Sequence, residues 1–348
     1  MLDAYGGLDT LAESYDYDNA PFLQSLSKNG FHVVQPFHSN YPYTEFSVAT
    51  LLNMRYELHP DGSGLNETFT LDAKHARLMS ASESVRDSRV VRDLKRMGYR
   101  HLTFQTGFSS VEIPSADQHF APERTISDLE GEFINQTMLA PLLRAIGAPY
   151  HRYFQARDHR RRVAFTCETL LRLEVEEAPQ FVWAHLLIPH QPFVFDAEGN
   201  PKAPPASREE IARVYHERYR EQLQYTNKLM AEVLVELAVR RPDSVIVVLG
   251  DHGPRYLEEQ RKYEWPALAR DFASTIYAVK FPEGRVPAAA TEAATHVNVF
   301  RALFRDIFGA DLPNLPDVSF LPREQGSSEY VAVAWDGTEP RIVSYPGE

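Results

Sequence analysis

Asp251 and His252 stand where an apolar run ends. Val245-Ile246-Val247-Val248-Leu249 leads straight into Gly250-Asp251-His252-Gly253. A short, mostly β-branched run bounded by glycine reads as a strand covered on both faces, as in a parallel sheet. In open α/β sheets that edge is where ligands bind. A carboxylate beside an imidazole is a metal-ligand pair, although Asp, His and Gly also suit a plain turn. A second apolar run, residues 181–188, empties into Pro189-His190-Gln191-Pro192-Phe193. His190 therefore lies just past a strand end, on the same edge as Asp251 if the strands are parallel. Its flanking prolines favour extended backbone. His185, inside the run, reads as a hydrogen-bonded core histidine.

Two oxygen donors complete the set. Asp3 opens Asp3-Ala4-Tyr5-Gly6-Gly7, a segment with the character of a loop after a strand. Thr44 begins a helical stretch through Met54. It has two readings, a helix N-cap or a nucleophile facing an anion held at a helix start. Asp3, Thr44, Asp251 and His252 make a four-ligand set for one divalent cation. A metal beside the Thr44 hydroxyl would lower its pKa, and threonine is otherwise a poor nucleophile at neutral pH. His190 would hold another oxygen or protonate a leaving group. Arg255 could hold a substrate oxygen or be a solvated surface arginine. Glu45 could reach the metal or answer the helix dipole. Asn40 and Tyr41 shape the turn before Thr44, His296 caps or packs, and His38, near Thr44 in sequence, is a candidate neighbour of it.

These groups need a scaffold, and the pattern supplies one. Helical segments are predicted from Pro21 to Gly30, over Val85–Met97, from Ser207 to Arg240 and over Asn298–Phe308. Strands are predicted at Phe31–Val34, Tyr99–Gln105, Thr275–Val279 and Tyr330–Trp335. Strands alternating with helices predict an α/β fold with a mainly parallel central sheet and helices on both faces. No repeat or linker divides residues 1–348, so one domain is expected, with a variable region near 107–162 and a surface excursion over 57–82.

Composition narrows the function. The 348 residues are 43% hydrophobic and 24% charged, as in a soluble globular protein. A net charge of −12 and the lack of a basic aromatic stripe argue against nucleic acid as a partner. The basic run Arg157–Arg162 reads as a solvated helix face. The single cysteine, Cys167, excludes an intrachain disulfide and reads as a buried small hydrophobe. No apolar stretch approaches the ~18 residues of a membrane span, and no signal-peptide pattern is present.

Six stretches carry a family resemblance: LDAYG at 2–6, DNAPFL at 18–23, SNYPYTEFSVATLLNM at 39–54, HLLIPHQPFVFD at 185–196, GDHG at 250–253 and VNVFRALF at 297–304. In this order the chain resembles the sulfatase-like branch of the alkaline phosphatase superfamily, within it the lipoteichoic acid synthases and phosphoethanolamine transferases. The resemblance implies one metal, zinc, manganese or magnesium, held by Asp3, Thr44, Asp251 and His252. It implies Thr44 as a nucleophile that carries a covalent phospho-intermediate, and His190 as a contact of the substrate head group. The implied function is metal-dependent phosphoryl transfer, to water or another acceptor, on a phosphodiester or a phosphorylated or lipid head group. It also implies an extracytoplasmic or membrane-associated place in the cell envelope.

Four departures qualify the resemblance. The C/S-x-P-x-R motif of true sulfatases is replaced by Thr44-Glu45-Phe46-Ser47, which makes sulfuric-ester hydrolysis the second reading. No second-metal cluster is visible. The N-terminal membrane helices usual in related transferases are absent. Only Met1 and Leu2 precede Asp3, so the family's opening core strand is expected to be missing and Asp3 to fray. An inactive domain that binds an anionic glycan or lipid head group is the third reading.

Overall fold

The computed structural model of the chain describes residues 1–57, 71–123, 137, 141, 155–205, 207–256, 264–283, 285, 287–322 and 330–343. Residues 58–70 of the surface excursion expected over 57–82, and residues 124–136, 138–140 and 142–154 of the variable region expected over 107–162, lie outside the described residues.

From the N-terminus come β1 (Leu2–Asp3), α1 (Leu8–Tyr15), α2 (Ala20–Lys28), β2 (His32–Val34) and α3 (Thr44–Asn53). Then follow α4 (Leu71–Arg86), α5 (Arg89–Arg96), β3 (Arg100–Phe104) and β4 (Gln118–Phe120). The middle of the chain holds α6 (Ala156–Arg172), β5 (Gln180–Trp183), β6 (Leu186–Pro189) and α7 (Arg208–Arg240). The last third holds β7 (Ile246–Leu249), α8 (Trp265–Ala273), β8 (Tyr277–Lys280), α9 (His296–Phe308), β9 (Val318–Pro322), β10 (Tyr330–Asp336) and β11 (Glu339–Val343).

Local chemistry sets several boundaries. Ser207 caps α7 by accepting the Glu210 N–H at 3.1 Å. The single helix predicted over Val85–Met97 is two, because Ser88 is in extended backbone and starts α5 afresh. α2 carries proline in its first turn, and Gly30 behind it takes φ +84°.

β1, which carries Asp3, pairs in parallel, while β7, which leads to Asp251, also pairs antiparallel with β8. β3 pairs in parallel with β4 and β5, and β1 with β6. Leu2 also bridges Gly250 in parallel, so β1 lies between β6 and the end of β7. β8 runs antiparallel to both β7 and β2. The C-terminal segment, predicted to hold one strand, forms the antiparallel sheet β9, β10, β11. Helices cover both faces, as alternating side chains show. Val248, Ile276 and Ala278 join one core with α1, α2, α7 and α8. Leu249, Tyr277 and Val279 join the other with α3, α5 and α9.

Three expectations are corrected. Asp3 does not fray: the Asp251 N–H bonds the Leu2 carbonyl at 3.1 Å, His190 N–H the Asp3 carbonyl at 3.1 Å and Leu186 N–H the Met1 carbonyl at 3.0 Å. Backbone bonds to both flanking segments hold it, and its side chain is buried. The predicted 181–188 strand is broken, because β5 pairs with β3 while β6 pairs with β1, and His185 falls at the switch. The run Arg157–Arg162 is not a wholly solvated face. Asp158, His159 and Arg162 are buried on the inner side of α6, where Arg162 lies against Gly107, and Cys167 is buried too.

Candidate active site

Thr44 is not the cap of its helix. Tyr43, in extended backbone, occupies the N-cap, and Thr44 is the first helical residue. Every residue of α3 is buried, so the helix start is fixed from all sides. Freed from capping, Thr44 Oγ1 donates to Asp251 Oδ2 at 2.8 Å and lies 3.3 Å from His252 Nε2.

Asp251 and His252 are oriented by the turn they belong to. Asp251 Oδ1 accepts the Ala4 N–H at 2.9 Å and the His252 N–H at 2.8 Å, which turns Oδ2 toward Thr44. His252 Nδ1 lies 2.7 Å from the Gly253 carbonyl. A carbonyl can only accept, so Nδ1 carries the proton and Nε2 presents a lone pair. That lone pair is 3.7 Å from Asp3 Oδ1 and 3.5 Å from Asp251 Oδ2. The turn is possible only with glycines. A Cβ on Gly253 would stand 2.3 Å from the Asp271 carbonyl oxygen, and one on Gly250 2.0 Å from Thr275 Oγ1.

The structure thus gathers Asp3, Thr44, Asp251 and His252, the four expected ligands. His190 stands at their edge, with Nδ1 4.0 Å from Asp3 Oδ2 and hydrogen-bonded to the Gln191 carbonyl. The peptide bonds entering Pro189 and Pro192 are cis. His38 stacks on Trp335 at 3.7 Å, in the core. His296 opens α9, and its Nε2 lies 2.8 Å from the Gly250 carbonyl, which steadies the same turn. Glu45 is buried beside Thr44, with its pKa raised by burial.

His185 was read as a hydrogen-bonded core histidine, and this is corrected. It is buried, and neither ring nitrogen has a hydrogen-bond partner among the described residues. Nε2 lies 3.9 Å from Asp251 Oδ2. Ligand atoms of Asp3, His185 and Asp251 all fall within 4.8 Å of one another. The β5–β6 switch is what aims the ring here, and single-strand periodicity carries no signal of it.

Electrostatics fit a cation. Burial raises the Asp3 pKa well above the usual carboxylate range, and the neighbouring Asp251 carboxylate raises it further. Burial opposes ionisation of Asp251 too, but His252, His185, the Ala4 N–H and the Thr44 hydroxyl hold its pKa low. Burial lowers His185 and His252 to about 4, so both are neutral, the ligand form, at pH 7. Asp3 Oδ1 has no hydrogen-bond partner among the described residues. Two carboxylates, two imidazoles with available lone pairs and a hydroxyl suit zinc or manganese.

Helix α7 braces this edge from behind. Tyr219 Oη donates to the Ala4 carbonyl at 2.8 Å and accepts the Gly6 N–H at 3.1 Å, fixing the loop after Asp3 where Ala4 takes φ +56°. One turn on, the Gln222 side chain donates to the His190 carbonyl at 2.7 Å and the Pro189 carbonyl at 3.1 Å. It accepts the Val194 N–H at 2.8 Å.

Two solved structures share this fold with TM-scores of 0.56 and 0.50. The C-terminal periplasmic domain of EcEptC from Escherichia coli, solved as a zinc complex, superposes with a TM-score of 0.56 at 12% identity, covering 99% of this chain and 90% of that one. The corresponding domain of the phosphoethanolamine transferase EptC from Campylobacter jejuni gives 0.50 at 14% identity, covering 90% of each chain. The lipoteichoic acid synthase LtaP from Listeria monocytogenes gives 0.49 at 13%, covering 100% of this chain and 84% of that one. No curated protein matches the sequence. The sequence model of the Sulfatase family matches residues 1–303, and the chain belongs to that family.

Proposed function

We propose that the protein is a metal-dependent phosphoryl-transfer enzyme with Thr44 as its nucleophile, acting on a phosphodiester or a phosphorylated head group. The observation that carries this is the Thr44 hydroxyl, released from helix capping and aimed at Asp251 Oδ2 and His252 Nε2. Asp3, Thr44, Asp251 and His252 would hold the metal, with His185 as a further donor. A divalent cation there lowers the pKa of the threonine hydroxyl and offsets charge on a phosphoryl oxygen.

The chain's own groups do the rest. Thr44 Oγ1 would release to solvent the proton it now donates to Asp251 Oδ2, since Asp251, with its pKa held low, is too weak a base to keep it. It forms a bond to phosphorus as the bond to the leaving oxygen breaks, which leaves phosphothreonine. Attack by water or an acceptor hydroxyl then restores Thr44. His190 uses Nδ1 on the Gln191 carbonyl, so Nε2 is the atom that meets substrate. Neutral, Nε2 accepts from a hydroxyl of the substrate or acceptor, and protonated, it donates to a substrate oxygen or passes its proton to the leaving group.

Phosphate is favoured over sulfate because Thr44-Glu45-Phe46-Ser47 stands where the formylglycine motif would be. Two proteins of similar fold, one solved as a zinc complex and one a phosphoethanolamine transferase, support zinc and a phosphorylated head group. Their periplasmic origin supports an extracytoplasmic site of action. No helix among the described residues is long and apolar enough to cross a membrane.

The test is hydrolysis of a chromogenic phosphodiester with zinc, manganese or magnesium, beside Thr44→Ala, with the matching sulfate ester in parallel. Metal-dependent cleavage is expected to drop on the order of 10³-fold or more in Thr44→Ala. Turnover that survives in the mutant removes Thr44 as the nucleophile. Cleavage of the sulfate ester alone moves the substrate class to sulfate.

A further inference from the structure

His159, Arg162, Val163 and Thr166 recur along α6 at the spacing that puts side chains on one helix face. α6 packs on β6, and between this face and the β5–β6 switch lies a cavity whose wall includes His159 and His185. It leaves about 10 Å³ of room for the centre of a water molecule, enough for roughly one. His159 is buried, and its Nε2 has no hydrogen-bond partner among the described residues. The same holds for both ring nitrogens of His185. The two rings therefore share one water-sized space and do not bond each other directly. Burial lowers the His159 pKa to about 3, so its ring is neutral at pH 7 and one of its nitrogens carries a lone pair.

We propose that His159 is a positioning residue for the metal site, holding His185 through one buried water molecule. The inference rests on the reading of His185 as a metal donor above. His185 Nε2 is turned toward Asp251 Oδ2, at 3.9 Å. A neutral His185 that offers this nitrogen's lone pair to a cation carries its proton on Nδ1. That N–H then needs an acceptor, because a buried donor left unpaired is costly. A water in the shared cavity accepts from His185 Nδ1 and donates to His159 Nε2, which supplies two of the partners a buried water requires. Fixing the second nitrogen in this way sets the tautomer and the orientation of a ligand imidazole. His252 has its counterpart in the Gly253 carbonyl, 2.7 Å from Nδ1. His185, at the switch between two strands, finds none among the described residues, and α6 supplies it instead.

The experiment uses His159→Leu, His159→Gln, His185→Ala and the His159→Leu, His185→Ala double variant in the full chain. Zinc affinity is read by competition against a chelating dye, and the His185 tautomer by nitrogen-15 NMR of the histidine-labelled, zinc-loaded chain. His159→Leu removes the acceptor and should weaken zinc binding by about 10- to 100-fold, the range for a group that supports a metal ligand. His159→Gln keeps an acceptor at nearly the same reach and should restore most of the affinity. In the His185→Ala background, His159→Leu should change little more, and wild-type His185 should carry its proton on Nδ1. Unchanged zinc affinity in His159→Leu, with His185→Ala weakened, would overturn the inference. So would an equal loss in both backgrounds, which would assign His159 to packing, or a proton on His185 Nε2. If His159→Leu does not fold, the wild-type tautomer decides alone. Unchanged affinity in His185→Ala would instead remove His185 as a metal donor, and this inference with it. A wild-type chain that binds no zinc would remove the metal reading itself.

Discussion

Replacing Gln222 by leucine tests whether α7 sets the geometry of the site. The side chain is fully buried and saturated. Its loss strands the His190 and Pro189 carbonyls and the Val194 N–H, bonded now at 2.7, 3.1 and 2.8 Å. A buried polar group left without a partner costs roughly 1–3 kcal/mol. Three such groups give a ceiling of roughly 9 kcal/mol, which local relaxation and water entry bring to about 3–5 kcal/mol. Leucine nearly matches glutamine in volume, so little of the effect would come from a cavity. Urea unfolding followed by circular dichroism should show the midpoint fall with an unchanged m value. Where the variant still folds, kcat/KM should drop on the order of 10²-fold, because a shift of about 1 Å in a substrate-contacting group has that effect. A loss of less than about 1 kcal/mol, with normal activity, would refute the view that Gln222 clamps the His190 loop.

Two further perturbations probe other parts of the molecule. His185→Ala should weaken zinc binding about 10-fold or more by competition against a chelating dye, a range typical for groups supporting a metal centre, and an unchanged affinity would exclude His185 from the site. His38, buried against Trp335, has its pKa lowered by burial to about 3. As pH falls below about 6.5 the unfolded chain takes up a proton that the folded one refuses. The stability held above that pH is therefore lost progressively toward pH 3. His38→Phe keeps the ring stack and removes the titration, so its loss of stability between pH 7.5 and pH 5 should be smaller by about 2 kcal/mol. Identical pH dependence in the two proteins would show that His38 does not resist protonation.

Much of the site could be read from the chain. Asp251, His252 and His190 follow apolar runs, and a strand end is where one-dimensional pattern and three-dimensional edge coincide. Thr44 was visible as a helix start, but whether its oxygen caps or faces the site depends on the backbone at Tyr43, which composition does not encode. His185 was hidden because a buried histidine in an apolar run looks the same whether or not the strand changes partners beneath it. Gln222 and Tyr219 were hidden within a long amphipathic pattern, since their partners are backbone groups of loops some 30 and more than 200 residues away. Alternation of strands and helices gave the α/β class and the covered faces. It did not give the antiparallel direction of β8 or the C-terminal sheet, since short β-rich runs carry no mark of orientation. The frayed Asp3 was expected from its place in the sequence alone, whereas backbone pairing decides whether a segment is held.

The short strand β1 has a consequence for how the protein assembles. It closes the gap between segments that lie 184 and 248 positions further along the chain, as the pairings Leu2↔Leu186 and Leu2↔Gly250 require. Contacts of that span form late, because chain entropy must be given up before they stabilise anything. Asp3 and Asp251, proposed above as metal ligands, are therefore brought together only when these distant segments have docked. A folding intermediate with either of them undocked lacks the ligand set, so high-affinity metal uptake during refolding should appear with the last kinetic phase and serve as a clock for its completion.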